Sequence, residues 1–379
     1  TAGIKLDESA PKGAFTFARA QQFTNQRKVW LRLKTGDAKF YQISHLQDFR
    51  NSTWIPAGDS IASYTLPDQD GEYQLFFRLK DAIGNINNPN SLAVLLDRQS
   101  PPKAIFTINN GAEWFNRIDM KVSLSFATTG GGEVMISNSA DFVNAQWQPL
   151  QRTIGWRLDG ALDGLKTVYA KFKDKAGNES EISSASITVD TRGPLLHKFE
   201  INQGATYTNE LSRMVSIKVE AEGADSLYLS NEPINIKSIT EWMPYQDSLG
   251  WKLMDQDGVL TVYGLLKDKA GNISQTYNDH IILDRVPPDF ARVFINNNAR
   301  FTNTSQVQVR LIAREAVKMK ISNDPRLDSV EWVPYVSMIE NWTLDSLKEG
   351  RKIVYAWFMD KAGNVSDAIA DDIIFGITS

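Results

Sequence analysis

Asp174-Lys175-Ala176-Gly177-Asn178 is the stretch on which the fold turns. It returns as Asp268-Lys269-Ala270-Gly271-Asn272 and as Asp360-Lys361-Ala362-Gly363-Asn364, with a looser copy at Asp81-Ala82-Ile83-Gly84-Asn85. The signature aspartates 81, 174, 268 and 360 stand 93, 94 and 92 residues apart. One module of about 93 residues is therefore written four times. Upstream of each signature the chain alternates: Leu75/Phe77/Leu79, Val168/Ala170/Phe172, Val262/Gly264/Leu266 and Val354/Ala356/Phe358 fall on one side of a period-two pattern. A second alternating run reads Val29/Leu31/Leu33, Val122/Leu124/Phe126, Val215/Ile217/Val219 and Val307/Val309/Leu311. Period two places each set on one face of a strand, facing a core.

In the second module the pattern predicts about seven strands, near 103–108, 114–117, 120–126, 132–137, 154–158, 166–173 and 182–189. No helical periodicity of useful length occurs. Turn chemistry separates the strands. Asn109-Asn110-Gly111 and Asn202-Gln203-Gly204 follow the first strand of their modules. Gly71, Gly164, Gly258 and Gly350 each stand ten residues before the signature Asp. In the signature, Gly can take positive φ and Asn can bond local backbone. Short antiparallel strands at this spacing predict an all-β protein of four tandem immunoglobulin-like β-sandwich domains in an extended row. Their bounds read 1–98, 99–192, 193–286 and 287–379. The links are short and contain Pro: Arg98 to Pro102, Thr191 to Pro194, Arg285 to Pro288. Such links limit bending. Four modules of roughly 30–35 Å in line would make a rod on the order of 130 Å.

Each module closes on a similar phrase: Val94-Leu95-Leu96-Asp97 with Pro101, Ile187-Thr188-Val189-Asp190 with Pro194, Ile281-Ile282-Leu283-Asp284 with Pro288. The opening Ile4-Lys5-Leu6-Asp7 with Pro11 copies it, so residues 1–7 read as the remnant of a preceding repeat or a stub that imitates one. Ile373-Ile374-Phe375 is followed by Gly376 where Asp would stand, which reads as the last module of the row.

Composition narrows the function. The 379 residues exceed one ordinary core. The net charge of −4 is spread without a basic block, which argues against nucleic acid as a partner. With no cysteine, disulfides, thiolate metal sites and cysteine nucleophiles are excluded. No run of 18 apolar residues predicts a membrane span. His45, His197 and His280 fall at non-equivalent positions of different modules and read as surface or incidental residues. Gly130-Gly131-Gly132 lies between strands with no helix after it, so it reads as a flexible loop rather than a phosphate cradle. No nucleophile, phosphate-loop or zinc-protease motif occurs. No module carries an insertion large enough to build a pocket unlike the repeat background. No enzyme is expected.

Aromatic residues recur in pairs. Trp54, Trp147, Trp242 and Trp332 precede x-Pro, and Tyr64, Trp156, Trp251 and Trp342 follow nine or ten residues later. Repetition in every module favours core or sheet-covering roles over ligand sites. Trp30 and Trp357 differ: the repeat has Ser123, Ser216 and Gln308 at the first position and Lys171 and Leu265 at the second. Both are expected to face outward, where exposed Trp can stack on a sugar or anchor a partner.

The run from Thr167 through Asn178, continued by Ile187-Thr188-Val189-Asp190-Thr191 and Pro194, resembles the bacterial immunoglobulin-like repeats of large surface and secreted proteins, giant adhesins among them. The resemblance covers all four modules. It implies a non-catalytic structural or adhesive stalk, extracellular or at the bacterial cell surface, as part of a longer parent protein. The alternative is an accessory array that binds carbohydrate or protein beside a secreted enzyme. The resemblance also implies calcium between successive repeats. In an immunoglobulin-like sandwich the last strand ends at the pole facing the next module, and the signature loop lies at the opposite pole. Asp97 should then approach Asp174 and Asn178; Asp190 should approach Asp268 and Asn272; Asp284 should approach Asp360 and Asn364; Asp7 should approach Asp81 and Asn85. Oxygen ligands converging from two modules suit a hard cation. The same residues equally suit turn formation by backbone bonding. Arg98, Arg192 and Arg285 offer a further alternative, pairing across the joint with Asp174, Asp268 and Asp360.

Overall fold

The computed structural model describes residues 7–103, 105–127, 132–160, 163–326, 330–345 and 348–376. Ile4-Lys5-Leu6, Gly130 and Gly131 lie outside the described residues. Two compact units divide the chain, Thr1–Thr191 and Arg192–Ser379. Each holds two copies of one pair of sheets. In the first copy the strands are β1 Ala14–Phe17, β2 Phe23–Thr24, β3 Lys28–Lys34, β4 Phe40–Ser44, β5 Ile55–Pro56, β6 Ser60–Thr65, β7 Gly71–Lys80 and β8 Asn90–Leu96. Three strands form one sheet in the order β1-β3-β6, and five form the other in the order β2-β8-β7-β4-β5. The other three copies repeat this order. All pairings are antiparallel except β2 with β8 and its equivalents.

Eight strands per copy exceed the seven expected. The additional one is the edge strand Ile55–Pro56, which recurs as Trp147–Pro149, Met243–Pro244 and Val333–Pro334. It is too short for a period-two pattern, and its Pro argues against a strand unless the strand lies at an edge. That Pro also blunts the edge against further pairing. The strand beside β8 is only two residues long and pairs parallel, where the spacing predicts antiparallel strands.

The core lies where the alternation puts it. Leu75, Phe77, Leu79, Val168, Ala170, Phe172, Val354, Ala356 and Phe358 are fully buried, as are Leu31, Leu124, Ile217, Val309 and Leu311. Each sandwich has its own apolar cluster. Gly264 stands where its equivalents are Phe77, Ala170 and Ala356. A Cβ there would lie 2.7 Å from the Phe199 ring, so Phe199 occupies the volume that the strand residue fills elsewhere.

The recurrent aromatics divide into two roles. Tyr64, Trp156, Trp251 and Trp342 pack at the margin of their cores. The indole N–H groups of Trp156, Trp251 and Trp342 donate to Asn138, Asn231 and Asn323 at 2.8, 2.9 and 2.9 Å. Trp54, Trp147, Trp242 and Trp332 are half-buried beside lysines, with Lys80, Lys173, Lys267 and Lys320 Nζ 4.4, 4.4, 4.4 and 5.1 Å from the ring centres. Burial of the Lys stem against indole with a cation–π contact at its tip covers the sheet without a disulfide.

Candidate functional site

The signature loop is a small closed device. Asp174 Oδ1 accepts from the Asn178 N–H at 2.9 Å, while the Asp174 N–H donates to the Asn178 carbonyl at 3.1 Å. Gly177 adopts φ +95°, a left-handed conformation that favours glycine. The Asp360 and Asp268 loops repeat both bonds, and their Gly363 and Gly271 also lie at positive φ. In the looser copy, Asp81 Oδ1 accepts from the N–H groups of Ile83, Gly84 and Asn85. Burial pushes the Asp81 carboxyl up, but the bonds from Asn85, Gly84 and Ile83 together outweigh it and leave the group below the usual carboxylate range.

The outer face of this loop holds the preceding segment. Asn178 Nδ2 donates to Asp174 Oδ2 at 2.9 Å and to the backbone carbonyl of Asp97 at 2.9 Å. Asn364 Nδ2 donates to Asp360 Oδ2 at 2.9 Å and to the Asp284 carbonyl at 2.8 Å. Asn85 Nδ2 does the same with Asp81 Oδ2 at 2.8 Å and the Asp7 carbonyl at 3.1 Å. Asn272 Nδ2 donates to Asp268 Oδ2 at 2.9 Å and to the carbonyl of Arg192, two residues after Asp190, at 3.2 Å. Carboxylate and carbonyl are both acceptors, so only the amide nitrogen of each Asn can face them. The structure thus brings Asp97 to Asp174 and Asn178, and Asp284 to Asp360 and Asn364, through main-chain oxygens. The Asp97 and Asp284 carboxylates instead accept from Gln99 and Val286 N–H in their own links. Asp190 ends its strand with its N–H bonded to the Phe115 carbonyl at 2.9 Å.

An Asn side chain lies close to the signature Gly in two of the loops. A Cβ on Gly177 would lie 3.7 Å from Asn25 Nδ2, and one on Gly363 would lie 3.7 Å from Asn209 Nδ2. Lys175 Nζ stands 5.4 Å over the Phe23 ring. Beside this joint, Phe17, Phe23, Glu133, Lys173 and Asp174 line an open groove of about 880 Å³.

Arg98 and Arg285 bond within their own modules. Arg98 Nε binds Asp70 at 2.6 Å, its Nη1 binds Asp68 at 2.8 Å, and its N–H donates to Asp70 at 3.1 Å. Arg285 makes the same bonds with Asp257 and Asp255. Thr191 N–H and Oγ1 bind Asp163 in the corresponding place. The expected pairing of Arg98 with Asp174 and Arg285 with Asp360 is therefore replaced by anchoring within the arginine's own module. A bidentate carboxylate 28 residues upstream offers a better geometry than a loop whose Asp is already bonded. The repeated 28-residue interval to Asp70, Asp163 and Asp257 was the available sequence signal. Among the described residues no cluster of three or more His, Asp or Glu is placed to hold a metal ion.

Of the two outward tryptophans, Trp30 is 39% exposed with Lys28 Nζ 4.9 Å over its ring. Trp357 is only 4% exposed, contrary to expectation. It pairs in register with Lys320, the lysine over Trp332, and stacks on Tyr355 at 6.2 Å. At the equivalent place in the first two modules, Arg78 and Lys171 lie under Phe49 and Phe142. The outward face of the five-stranded sheet is thus itself covered, and Leu265 is fully buried there too. Alternation identified the face correctly but not its cover.

Residues 27–98 match the model of the bacterial Ig-like domain. That match lies within module one. No curated protein matches the sequence. Among solved structures, the chain is similar to the fibronectin(III)-like modules of Clostridium thermocellum CbhA, at 12% identity and TM-score 0.33 over 47% of this chain and 94% of that one. It is also similar to the chicken CNTN1 FN1-FN3 domains, at 11% identity and TM-score 0.30 over 72% and 99%. At such values neither likeness bears on what these Ig-like modules do. Among the described residues no helix is long and apolar enough to cross a membrane.

Proposed function

We propose that the chain is a non-catalytic structural segment of a bacterial surface or secreted protein, a semi-rigid spacer of four Ig-like modules bounded near 98, 192 and 286. The observation that carries this reading is the latch: the Asn of each signature loop is bonded both to its own Asp and to a main-chain carbonyl of the preceding segment. A catalytic site has no reason to recur at every copy, whereas a joint does. The link is held from both sides, by the Asn at its carbonyl and by Asp70 or Asp257 at its arginine.

Trypsin tests the joint. It cleaves after Arg98 and Arg285 only when the link opens. Asn178→Ala should speed cleavage at Arg98, and Asn364→Ala should speed it at Arg285. Links cut as fast in the unaltered chain as in the variants would overturn the spacer reading. The same residues carry the calcium expectation. Direct bonding of the latch predicts an unchanged Tm in excess chelator, and a fall in Tm on chelation would place a cation at the joint.

A further inference from the structure

Module one departs from the repeat at one pair of side chains. Where the other modules have Asn138 with Trp156, Asn231 with Trp251 and Asn323 with Trp342, module one has His45 with Tyr64. In those three the amide is used twice. Its oxygen accepts from the indole, and its nitrogen donates to the carbonyl of Arg157, Lys252 or Thr343. In module one the Tyr64 hydroxyl accepts from the His45 N–H at 3.1 Å and lies 2.7 Å from His45 Nδ1. A hydroxyl that already accepts from the backbone can give its own proton to Nδ1. Nδ1 is then the acceptor, and the neutral ring carries its proton on Nε2. Nε2 has no partner among the described residues.

The pair borders a cavity of about 380 Å³ lined by Tyr41, Ser44, His45, Arg50, Asn51 and Tyr64, among others. The Arg50 guanidinium pairs with Asp48, its Nε 3.5 Å from the carboxylate, and both side chains are largely exposed. The corresponding cleft of module four has the opposite character: Asp324 and Asp345 line it beside Trp342. A guanidinium, an imidazole N–H and a side-chain amide along aromatic walls make a donor-rich pocket, suited to an anionic oxygen group on a small ring.

We propose that the cleft of module one at His45, Arg50 and Tyr64 binds a small carboxylate-bearing ligand of the acidic-sugar class, with Tyr64 as the residue that positions His45. This site is independent of the spacer reading and would add a recognition function to one module of the row.

The test is titration of the full chain, by calorimetry and by NMR, with sodium glucuronate, acetate and glucose. Glucuronate should bind, and glucose should bind at least about tenfold more weakly, the order expected for losing one charge-assisted contact. Arg50→Ala should weaken glucuronate by a similar factor. The double variant His45→Asn/Tyr64→Trp installs the pair the other modules already use, so it should fold with an unchanged Tm yet lose the binding. Acetate bound as tightly as glucuronate would reduce the site to a carboxylate pocket and overturn the sugar assignment. No binding at about 10 mM, or affinity unchanged in the double variant, would overturn the proposal outright.

Discussion

An asparagine amide offers two N–H bonds, and at positions 85, 178, 272 and 364 they go to a carboxylate in the loop and a carbonyl of the preceding segment. Asn178→Ala should destabilise unit one by about 1–2 kcal/mol, the range for losing such bonds. Asn178→Asp, nearly the same shape, should cost more, because a carboxylate would face Asp174 and the Asp97 carbonyl with no proton to give. Thermal melts of the two variants decide the order. If Asp is tolerated better than Ala, the amide does not donate there. The anchor at Arg98 adds a pH dependence. The side-chain and then the backbone bonds of Arg98 hold Asp70 below the usual carboxylate range. A depressed native pKa lends stability that is complete above the unfolded value of about 4 and is lost as pH falls through the native value. Tm should therefore decline in acid below about pH 4, and Asp70→Asn should flatten that decline.

At the scale of elements, the strands facing a core were legible because period two survives whenever one face is buried and the other wet. Phe172 shows how much rests on them. It is fully buried between the sheets, and Phe172→Ala should cost about 3–5 kcal/mol in denaturant melts. Trp156→Phe keeps an aromatic ring but gives up the pyrrole half of the indole and its bond to Asn138, and should cost less, about 1–2 kcal/mol. What escaped the sequence was of another kind. The edge strand with Pro149 is too short for periodicity. Trp357 sits on the face that alternation assigns to solvent, yet it is covered. His45 reads as incidental because the three His fall at non-equivalent positions, and its partnership with Tyr64 emerges only when the end of β4 meets β6 of the opposite sheet. Arg98 finds Asp70 where the start of β7 pairs with the end of β8, rather than Asp174 across the joint. The last three misses are contacts between segments far apart in sequence, where spacing records a repeat but not a partner.

For the molecule as a whole, the fourfold signature was enough to predict four sandwiches, and eight sheets in the repeated three-plus-five order meet that expectation. A row of β-sandwiches leaves function to whatever the modules join and carry. On the proposed spacer function, the signature Asn stiffens the joint between successive modules. Backbone 15N relaxation measures this within unit one. Modules one and two should tumble with a single correlation time in the unaltered chain and separate into two in Asn178→Ala. Two distinct correlation times in the unaltered chain, or a single one that persists in the variant, would contradict it.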